Sequence, residues 1–327
     1  MAARKKLNVW FTMLERLKRG AVSPGLYAAL LALIVAALVM QAVTGVSFFT
    51  MSNMLNVARN FSMLGFVALG QTLVIMSGGL DLSVVAVIST GNILAASLIN
   101  GNDALVFPVL LFTIVVGAAI GTVNGLLVTK RGVPPFIATL GVSIVVNGLR
   151  LIATGGIPKG NVPELLKEMG TGSFLGLPWM VIIFVIVAIF FYILLAKSSY
   201  GRRLRVTGSN PEVAVLSGIN KDRVIITAYL ICGALGAGAG VFLAGYTGIA
   251  DNWAGNEFDI NSIAAAVLGG AAIGGGSGSV QGTVIGSIIL LLITNLAILA
   301  HLPIQSQMMV KGLVIILALG FFGRGKK

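Results

Sequence analysis

The sequence predicts an all-α fold, a polytopic membrane bundle of about ten transmembrane helices joined by short loops. Three observations predict it. The mean hydropathy of the 327-residue chain is +1.01, with 57% hydrophobic and 10% charged residues, which excludes an ordinary soluble domain. Apolar runs long enough to cross a bilayer recur along the whole chain. The basic residues gather in a few segments between these runs, which is typical of membrane topology.

The predicted spans follow one another closely. They are 25–43, 54–77, 82–99, 105–128, 134–153, 178–196, 224–246, 259–273, 281–300 and 307–323. The third and eighth are the weakest, because glycine-rich segments at 78–83 and 269–282 interrupt the apolar pattern. Each break is either a tight cytoplasmic turn or a broken helix in the membrane, where irregular backbone must be buried in protein or line an aqueous cavity. The two breaks also suggest an inverted repeat, with spans 2–5 mirrored by spans 7–10.

The charge distribution predicts that both termini are cytoplasmic. With the basic segment 1–24 inside and the spans alternating, the inside segments hold 17 of the 22 lysines and arginines, including the cluster in loop 197–223. The apolar run after segment 1–24 is long enough to span, so we expect an uncleaved first helix rather than a signal peptide. Residues 25–323 then form the transmembrane domain, and 324–327 form a short cytoplasmic tail.

The composition excludes several classes of function. One cysteine and one histidine are too few for a Cys/His metal site, and no Walker A pattern occurs. Neither a general base nor an orienting group accompanies a nucleophile, so we predict no catalytic residues, no metal ligands and no cofactor. The net charge of +12 lies mainly in the inside loops, so nucleic acid is not a predicted partner.

Four amides lie within predicted spans and are candidates for a translocation pathway. They are Gln71, Asn124, Asn147 and Asn295. An unpaired amide in hydrocarbon costs several kcal/mol, roughly, so each should face the protein interior or a pore. Uncharged amides suit a neutral, hydroxyl-rich solute, whereas ion pathways usually carry ionisable groups. An interhelical hydrogen bond is the alternative role of each amide.

The glycine breaks supply the candidate gating residues. They are Gly78, Gly79, Asp81, Gly274 and Gly278. We expect Asp81 to cap a helix that begins at Leu82, since aspartate is a favoured N-cap, with a role in gating as the alternative. Two cations also lie near or within spans: Arg150 is expected to extend to the outside surface, and Lys311 has no evident partner.

Glycines at a spacing of four recur within the spans, as at Gly117, Gly121 and Gly125. In lipid, such spacing lets helix backbones approach closely. We expect close packing within the chain, with a dimer face or a moving seam around a pathway as the alternative.

Four separated motifs carry a family resemblance that covers nearly all of 25–323. They are Gly-Gly-Leu-Asp-Leu-Ser at 78–83, Phe-Ile-Ala-Thr-Leu at 136–140, the polar segment 208–220, and 258–270 with the glycine-rich stretch after it. Together they resemble the permeases of ATP-binding-cassette (ABC) sugar importers of the ribose, galactoside and arabinose type. The chain departs from the commonest pattern at Ser209-Asn210-Pro211 and at Val84-Val85.

The resemblance implies a transporter subunit in a bacterial inner (plasma) membrane, akin to ten-span importers of the vitamin B12 type. It implies two permease subunits, expected to be a homodimer, although pairing with a paralogue stays open. A cytoplasmic ABC ATPase would bind below, and a periplasmic or lipid-anchored sugar-binding protein would deliver the sugar substrate. Acids on the predicted outside loops, Asp251, Glu257, Asp259, Glu164 and Glu168, are candidates for docking that protein. The alternative is that they are ordinary solvated loop acids, with Asp259 as a cap of the eighth span.

In this family the ATPase contacts the loop between spans 6 and 7, and residues 197–223 form that loop in the predicted topology. The candidate coupling residues are Gly208, Asn210, Glu212, Ala214, Ser217 and Gly218. A short helix near 210–218 should insert into a cleft of the ATPase, with Ala214 and Gly218 allowing close approach. The alternatives are a secondary transporter of the same topology, or the same family with nucleosides or branched-chain amino acids as cargo.

Overall fold

The computed structural model of the protein describes residues 24–45 and 47–322. These residues form thirteen α-helices and one two-stranded hairpin. The helices are α1 (Pro24–Thr44), α2 (Met51–Met76), α3 (Val84–Ile99), α4 (Val106–Lys130), α5 (Pro135–Thr154), α6 (Glu164–Thr171), α7 (Trp179–Lys197), α8 (Ser199–Ser209), α9 (Pro211–Leu216), α10 (Lys221–Thr247), α11 (Phe258–Leu268), α12 (Val280–Leu299) and α13 (Ile304–Phe322). The strands are β1 (Ser173–Phe174) and β2 (Leu177–Pro178). Positions 1–23 of the basic segment and the tail 324–327 lie outside the described residues, so their predicted placement stays a prediction.

Every predicted span coincides with a helix, which confirms the all-α polytopic bundle. Seven of the described helical segments are long and apolar enough to cross a membrane, namely α1, α2, α4 with the 3-10 turn before it, α5, α7, α10 and α12. The shorter apolar helices α3 and α11 fall where the sequence predicted the weakest spans. They are short because α3 begins only at Val84 and α11 already ends at Leu268.

Two irregular segments, which we call the first break (77–83) and the second break (269–279), separate α2 from α3 and α11 from α12. Gly78 follows α2 with φ +90°, and Gly270 follows α11 with the same φ. Residues with a side chain rarely adopt this backbone conformation, so glycine ends both helices. Both interruptions were predicted from the sequence, whereas the inverted repeat stays a prediction.

The connection between α5 and α7 has a structure that the sequence analysis missed. It contains α6 and the antiparallel hairpin, in which Ser173 pairs with Pro178 and Phe174 with Leu177. Helix α6 packs against α10, and an ideal Cβ on its Gly170 would overlap the backbone of Gly245. The eight residues of α6 are too few to show a clear apolar period, which explains why the sequence gave no signal.

Helix α10 lies at the centre of the bundle, where it packs against α2, α3, α4 and α6. An aromatic cluster joins it to α2 and α7: the ring of Phe66 stacks on Phe242 at 5.7 Å and meets Phe184 edge-on at 5.4 Å. Such aromatic pairs add about 0.5–1.5 kcal/mol each beyond their buried area. The bundle is therefore organised around one long helix whose inward face is almost fully buried.

The evenly spaced glycines of α4 face α10, which confirms that they serve packing within the chain. An ideal Cβ on Gly117 would overlap the carbonyl oxygen of Gly233, and one on Gly121 would overlap that of Tyr229. The third, Gly125, would place its Cβ 2.7 Å from the Cα of Ile226. Larger residues on this face would push the two helices apart.

Arg150 does not reach the outside surface, so that prediction was wrong. Its side chain is buried, and Nη2 and Nε donate to Asn252 O at 2.7 Å and to Asn252 Oδ1 at 3.3 Å. Nη1 donates to Ala86 O at 3.2 Å. The guanidinium stays buried because these oxygens satisfy it, and it fastens α5 to α3 and to the 248–257 connection.

The 248–257 connection lies against α3 instead of standing free. The backbone N–H of Asp251 donates to Asn92 Oδ1 at 2.8 Å, and that of Gly255 donates to Ser89 Oγ at 2.9 Å. Glu257 forms a 2.8 Å ion pair with Lys311 of α13, which identifies the partner that the sequence left open. Part of the predicted acidic docking surface is therefore already neutralised within the chain.

Candidate functional site

The segment 198–220 forms two consecutive helices, α8 and α9, whose ends are set by local capping. Ser198 Oγ accepts the Gly201 N–H at 3.2 Å and begins α8. Asn210 ends α8 and begins α9, because its Oδ1 accepts the N–H groups of Glu212 at 3.0 Å and Val213 at 3.1 Å. Asparagine is a strong N-cap, and proline is favoured at the first helical position, which Pro211 occupies.

The C-terminal end of α9 is equally well defined. Gly218 has φ +73°, and the Ile219 N–H donates back to Ala214 O at 2.9 Å. This turn satisfies a carbonyl group that the end of a helix leaves without a partner, and its left-handed position favours glycine. Gly218 therefore shapes the turn after α9, and space around its Cα is open.

The orientation of α9 assigns different roles to its residues. Ala214 is fully buried, so its side chain faces this chain and is not available to another protein. Val213, Val215 and Leu216 are exposed, and Leu216 is 87% exposed. The exposed apolar end of α9, which we call the α9 tip, was not among the sequence candidates. The unbroken apolar run from 213 to 216, within an otherwise polar segment, was the available signal for it.

Exposed basic residues flank α9 in the sequence and form what we call the basic rim: Arg202, Arg203, Lys221 and Arg223. Arg205 instead turns inward, and its Nη1 donates to Leu195 O at 2.8 Å, close to the C-terminus of α7. Burial lowers the pKa of the Arg205 guanidinium from its ordinary value, but arginine stays charged in proteins. A cation at a helix C-terminus is favourable, so Arg205 stabilises the junction of α7 and α8.

The end of α8 lies directly against the second break and against the last residue of α2, which precedes the first break. The Gly276 N–H donates to Met76 O at 2.9 Å, which joins the second break to the end of α2. Gly208 fits over this bond, since an ideal Cβ there would overlap Met76 O and lie 2.5 Å from Gly276 N. An added Cβ on Gly275 would likewise come within 2.6 Å of Gly208 O. We call this contact of Met76, Gly208 and Gly276 the break junction.

Among the other predicted gating glycines, Gly79 and Gly278 also need to be small. An ideal Cβ on Gly79 would overlap the Tyr229 hydroxyl, which donates to Leu80 O at 3.2 Å. One on Gly278 would lie 2.7 Å from Met76 Cγ. Gly274 has free space around it. The structure thus brings Gly278 to the break junction and leaves Gly274 beside it.

Asp81 is fully buried in the first break. Its Oδ1 accepts the Ser83 N–H at 2.8 Å and the Ser83 hydroxyl at 2.6 Å. The predicted cap of a helix beginning at Leu82 was wrong, because α3 begins at Val84 and Asp81 stabilises the turn before it. Asp81 makes no ion pair within the described part of the chain, and its Oδ2 has no partner there.

Two of the predicted pathway amides, Gln71 and Asn124, support this turn. Asn124 Nδ2 donates to Ser83 Oγ at 2.7 Å. The amide of Gln71, in the orientation that satisfies both its atoms, donates to Asp81 O at 3.3 Å and accepts the Asp81 N–H at 3.1 Å. Both residues are fully buried, so in this conformation they hold the first break instead of lining an open path.

The other two predicted pathway amides lie elsewhere. Asn147 is half-buried on α5, and its Oδ1 has no partner among the described residues. Asn295 on α12 pairs with Asn53 on α2 through two hydrogen bonds, of 3.0 and 2.9 Å. The four amides therefore do not form one cluster.

No group of three or more His, Cys, Asp or Glu side chains that could hold a metal occurs in residues 24–45 and 47–322. The site consists of the exposed α9 tip, the capped helix α9 and the close backbone contact at the break junction.

Comparison with known proteins identifies the family. A family model described as the permease component of the branched-chain amino acid transport system matches residues 53–319. The chain belongs to this family. It is thus a membrane permease subunit of an ABC importer, and a transporter subunit rather than an enzyme, as the motifs predicted.

Curated relatives cover most of the chain. The ribose import permease protein RbsC of Bacillus subtilis (strain 168) is 37% identical over 279 residues, which cover 83% of this chain and 85% of the relative. RbsC of Escherichia coli (strain K12) is 35% identical, and the match covers 83% of this chain and 86% of the relative. The autoinducer 2 import system permease protein LsrC of Yersinia pseudotuberculosis serotype O:3 (strain YPIII) is 30% identical, and the match covers 85% of this chain and 79% of the relative. No solved structure matches the chain.

Proposed function

We propose that this permease imports a monosaccharide of the ribose type, driven by a separate cytoplasmic ABC ATPase. The most similar relatives described above are ribose import permeases over more than four-fifths of both chains. The uncharged amides within the spans suit a neutral, hydroxyl-rich solute. The observation that carries the coupling is the α9 tip, an exposed apolar surface on a capped helix in direct continuity with the break junction.

The ATPase binds at the α9 tip. Leu216, Val213 and Val215 supply apolar contact area, and the surrounding arginines and lysine supply a rim suited to acidic residues. Asn210 and Gly218 keep α9 rigid by ending it on both sides. Of the sequence candidates, Glu212 and Ser217 are exposed beside the tip, whereas Gly208 and Ala214 act inside the permease.

The proposed binding of the ATPase at this end of the bundle implies an orientation with the α8–α9 segment and both termini in the cytoplasm of a bacterial cell. The exposed basic residues around α9 agree with the positive-inside rule. A periplasmic or lipid-anchored sugar-binding protein then docks at the opposite end, where the hairpin and the 248–257 connection lie. A second copy of this chain completes the pathway within the surrounding lipid.

Transport proceeds by alternating access. Closure of the ATPase displaces α9, and α8 moves with it because Asn210 joins the two helices. Since Gly208 contacts both Met76 and Gly276, that displacement reaches the first and second breaks together. The breaks are the irregular segments that can rearrange without disrupting a helix.

ATP-driven uptake by the reconstituted complex tests this function. The permease, its ATPase and its binding protein are placed in proteoliposomes with radiolabelled D-ribose, D-galactose, L-arabinose, L-leucine or a nucleoside. We expect uptake of one monosaccharide that requires both ATP and the binding protein. Uptake of only leucine or the nucleoside would reject the proposal that the cargo is a monosaccharide. Uptake that persists without ATP would reject the proposal that an ATPase drives transport.

A further inference from the structure

A small cavity with amide walls lies between α2 and α12. Its volume is about 190 Å³. Its polar lining comes from Asn56, Asn60, Thr294 and Asn295. Its apolar lining comes from Val57, Leu291 and Ile298. In the proposed orientation these residues lie in the outer halves of both helices, on the side from which substrate arrives.

Part of the polar lining is fixed by hydrogen bonds, and part stays free. The reciprocal bonds of Asn295 with Asn53 make one wall rigid. Asn60 Nδ2 donates to Asn56 O at 2.9 Å and to the Tyr246 hydroxyl of α10 at 3.5 Å, and Asn56 Oδ1 accepts from Arg59 at 3.3 Å. Within the described part of the chain this leaves an acceptor, Asn60 Oδ1, and a donor, Asn56 Nδ2, for a ligand.

The position of these amides argues against a purely structural role. Helices α2 and α12 have the length and hydropathy of membrane spans. Asn56 is exposed near the beginning of α2, and Asn60 is half-buried one turn further along. An unpaired amide group facing lipid would cost roughly 2–7 kcal/mol, so both amides should face water or a polar solute. The asparagines at 53, 56 and 60 recur at helical spacing, which places them along one side of α2.

The chemistry of the lining also indicates which class of solute the cavity can bind. It contains no ionised side chain, which disfavours a zwitterionic amino acid, whose two charges would need partners. Amides both donate to and accept from sugar hydroxyls, while Val57 and Leu291 suit the apolar C–H face of a sugar ring. The volume is below the ~300–1,000 Å³ of pockets for drug-sized ligands, as expected for a solute of monosaccharide size.

We infer that this cavity is a binding site for a neutral monosaccharide in the permease itself, contacted before the solute reaches the breaks. The inference rests on the proposed function, which it deepens by naming the residues that hold the sugar. Asn60 and Asn56 are the residues that bind hydroxyl groups, and Asn53 positions Asn295.

Cysteine protection tests the site in the assembled complex. The only native cysteine, Cys232, is buried and is replaced by alanine in the background. Asn60→Cys and Asn56→Cys are made separately and treated with a small hydrophilic thiol reagent, with and without millimolar D-ribose, D-galactose or L-arabinose. Asn161→Cys, at an exposed amide outside the cavity, is the control.

We expect at least one cavity cysteine to react and one of these sugars to slow its reaction severalfold, with no effect on the control. If neither cavity cysteine reacts, or none of the sugars protects, while the unmodified complex still imports one of them, the cavity site is rejected and the proposed function stands. If the unmodified complex imports none of the sugars, the proposed function fails and the site fails with it. Monodispersity of each purified variant shows that the complex is intact.

Discussion

The backbone N–H of Gly276 donates a 2.9 Å hydrogen bond to the carbonyl oxygen of Met76. This bond joins the second break to the last residue of α2, directly before the first break. Gly208, at the end of α8, covers the bond so closely that a side chain there would overlap Met76 O. The break junction therefore connects the segment proposed to contact the ATPase with the two interruptions in the bundle.

Replacing Gly208 by valine should separate ATP hydrolysis from transport. A branched side chain would have to displace the carbonyl of Met76 or the N–H of Gly276, which are backbone groups and move little. We expect the complex to assemble and hydrolyse ATP, with uptake lost. The comparison is Gly274→Val, which has free space around it and should transport nearly normally. Equal uptake by both variants would show that the close contact at Gly208 is unimportant.

Replacing Asn210 by alanine should loosen α9. The substitution removes the acceptor for the N–H groups of Glu212 and Val213, and losing an N-cap costs about 1 kcal/mol. Amide hydrogen exchange at those two residues should accelerate, and coupled uptake should fall. Asn210→Asp keeps the cap and should restore slow exchange. If the alanine and aspartate variants exchange alike, capping does not hold α9.

Asp81 should tolerate asparagine better than alanine. Asparagine keeps the Oδ1 acceptor for Ser83 and removes a carboxylate that has no cationic partner in the described part of the chain. Alanine leaves a buried donor without a partner, which costs about 1–3 kcal/mol. Thermal unfolding in detergent should place Asp81→Asn near or above the unmodified protein and Asp81→Ala well below it. The reverse order would mean that the charge of Asp81 is needed.

Arg150 should not be replaceable by lysine, although the charge is kept. Its guanidinium donates to Ala86 O and to two oxygens of Asn252 at once, and the single ammonium of lysine lacks that forked geometry. Both Arg150→Lys and Arg150→Leu should lower thermal stability. The control is Lys159→Leu, which removes an exposed cation from the connection that follows α5. Full stability of Arg150→Lys would show that charge alone suffices.

The sequence predicted the spans and the two breaks well, because apolar runs and glycine runs carry local physical signals. The short helix near 210–218 was expected from the family resemblance, and its caps appear only in the structure. It did not predict which face of α9 is buried, since Ala214 and Leu216 are both apolar and only tertiary packing separates them. The burial of Arg150 was missed for the same reason, as its acceptors come from α3 and the 248–257 connection. Asn53, Asn56 and Asn60 recur at helical spacing along α2, but only tertiary packing shows that Asn295 of α12 lies beside them.

The most direct test of the account is whether the exposed side chain of Leu216 binds the ATPase. Leu216→Asp is compared with Leu175→Asp in the β1–β2 hairpin, because these leucines are 87% and 89% exposed and lie in different parts of the fold. The measurement is the amount of ATPase that co-purifies with each variant, and ATP-driven sugar uptake is compared between Leu216→Asp and the unmodified protein. Leu216→Asp should retain roughly tenfold less ATPase, equivalent to a loss of about 1.4 kcal/mol, whereas Leu175→Asp retains it fully. Full ATPase binding and uptake by Leu216→Asp would contradict the account.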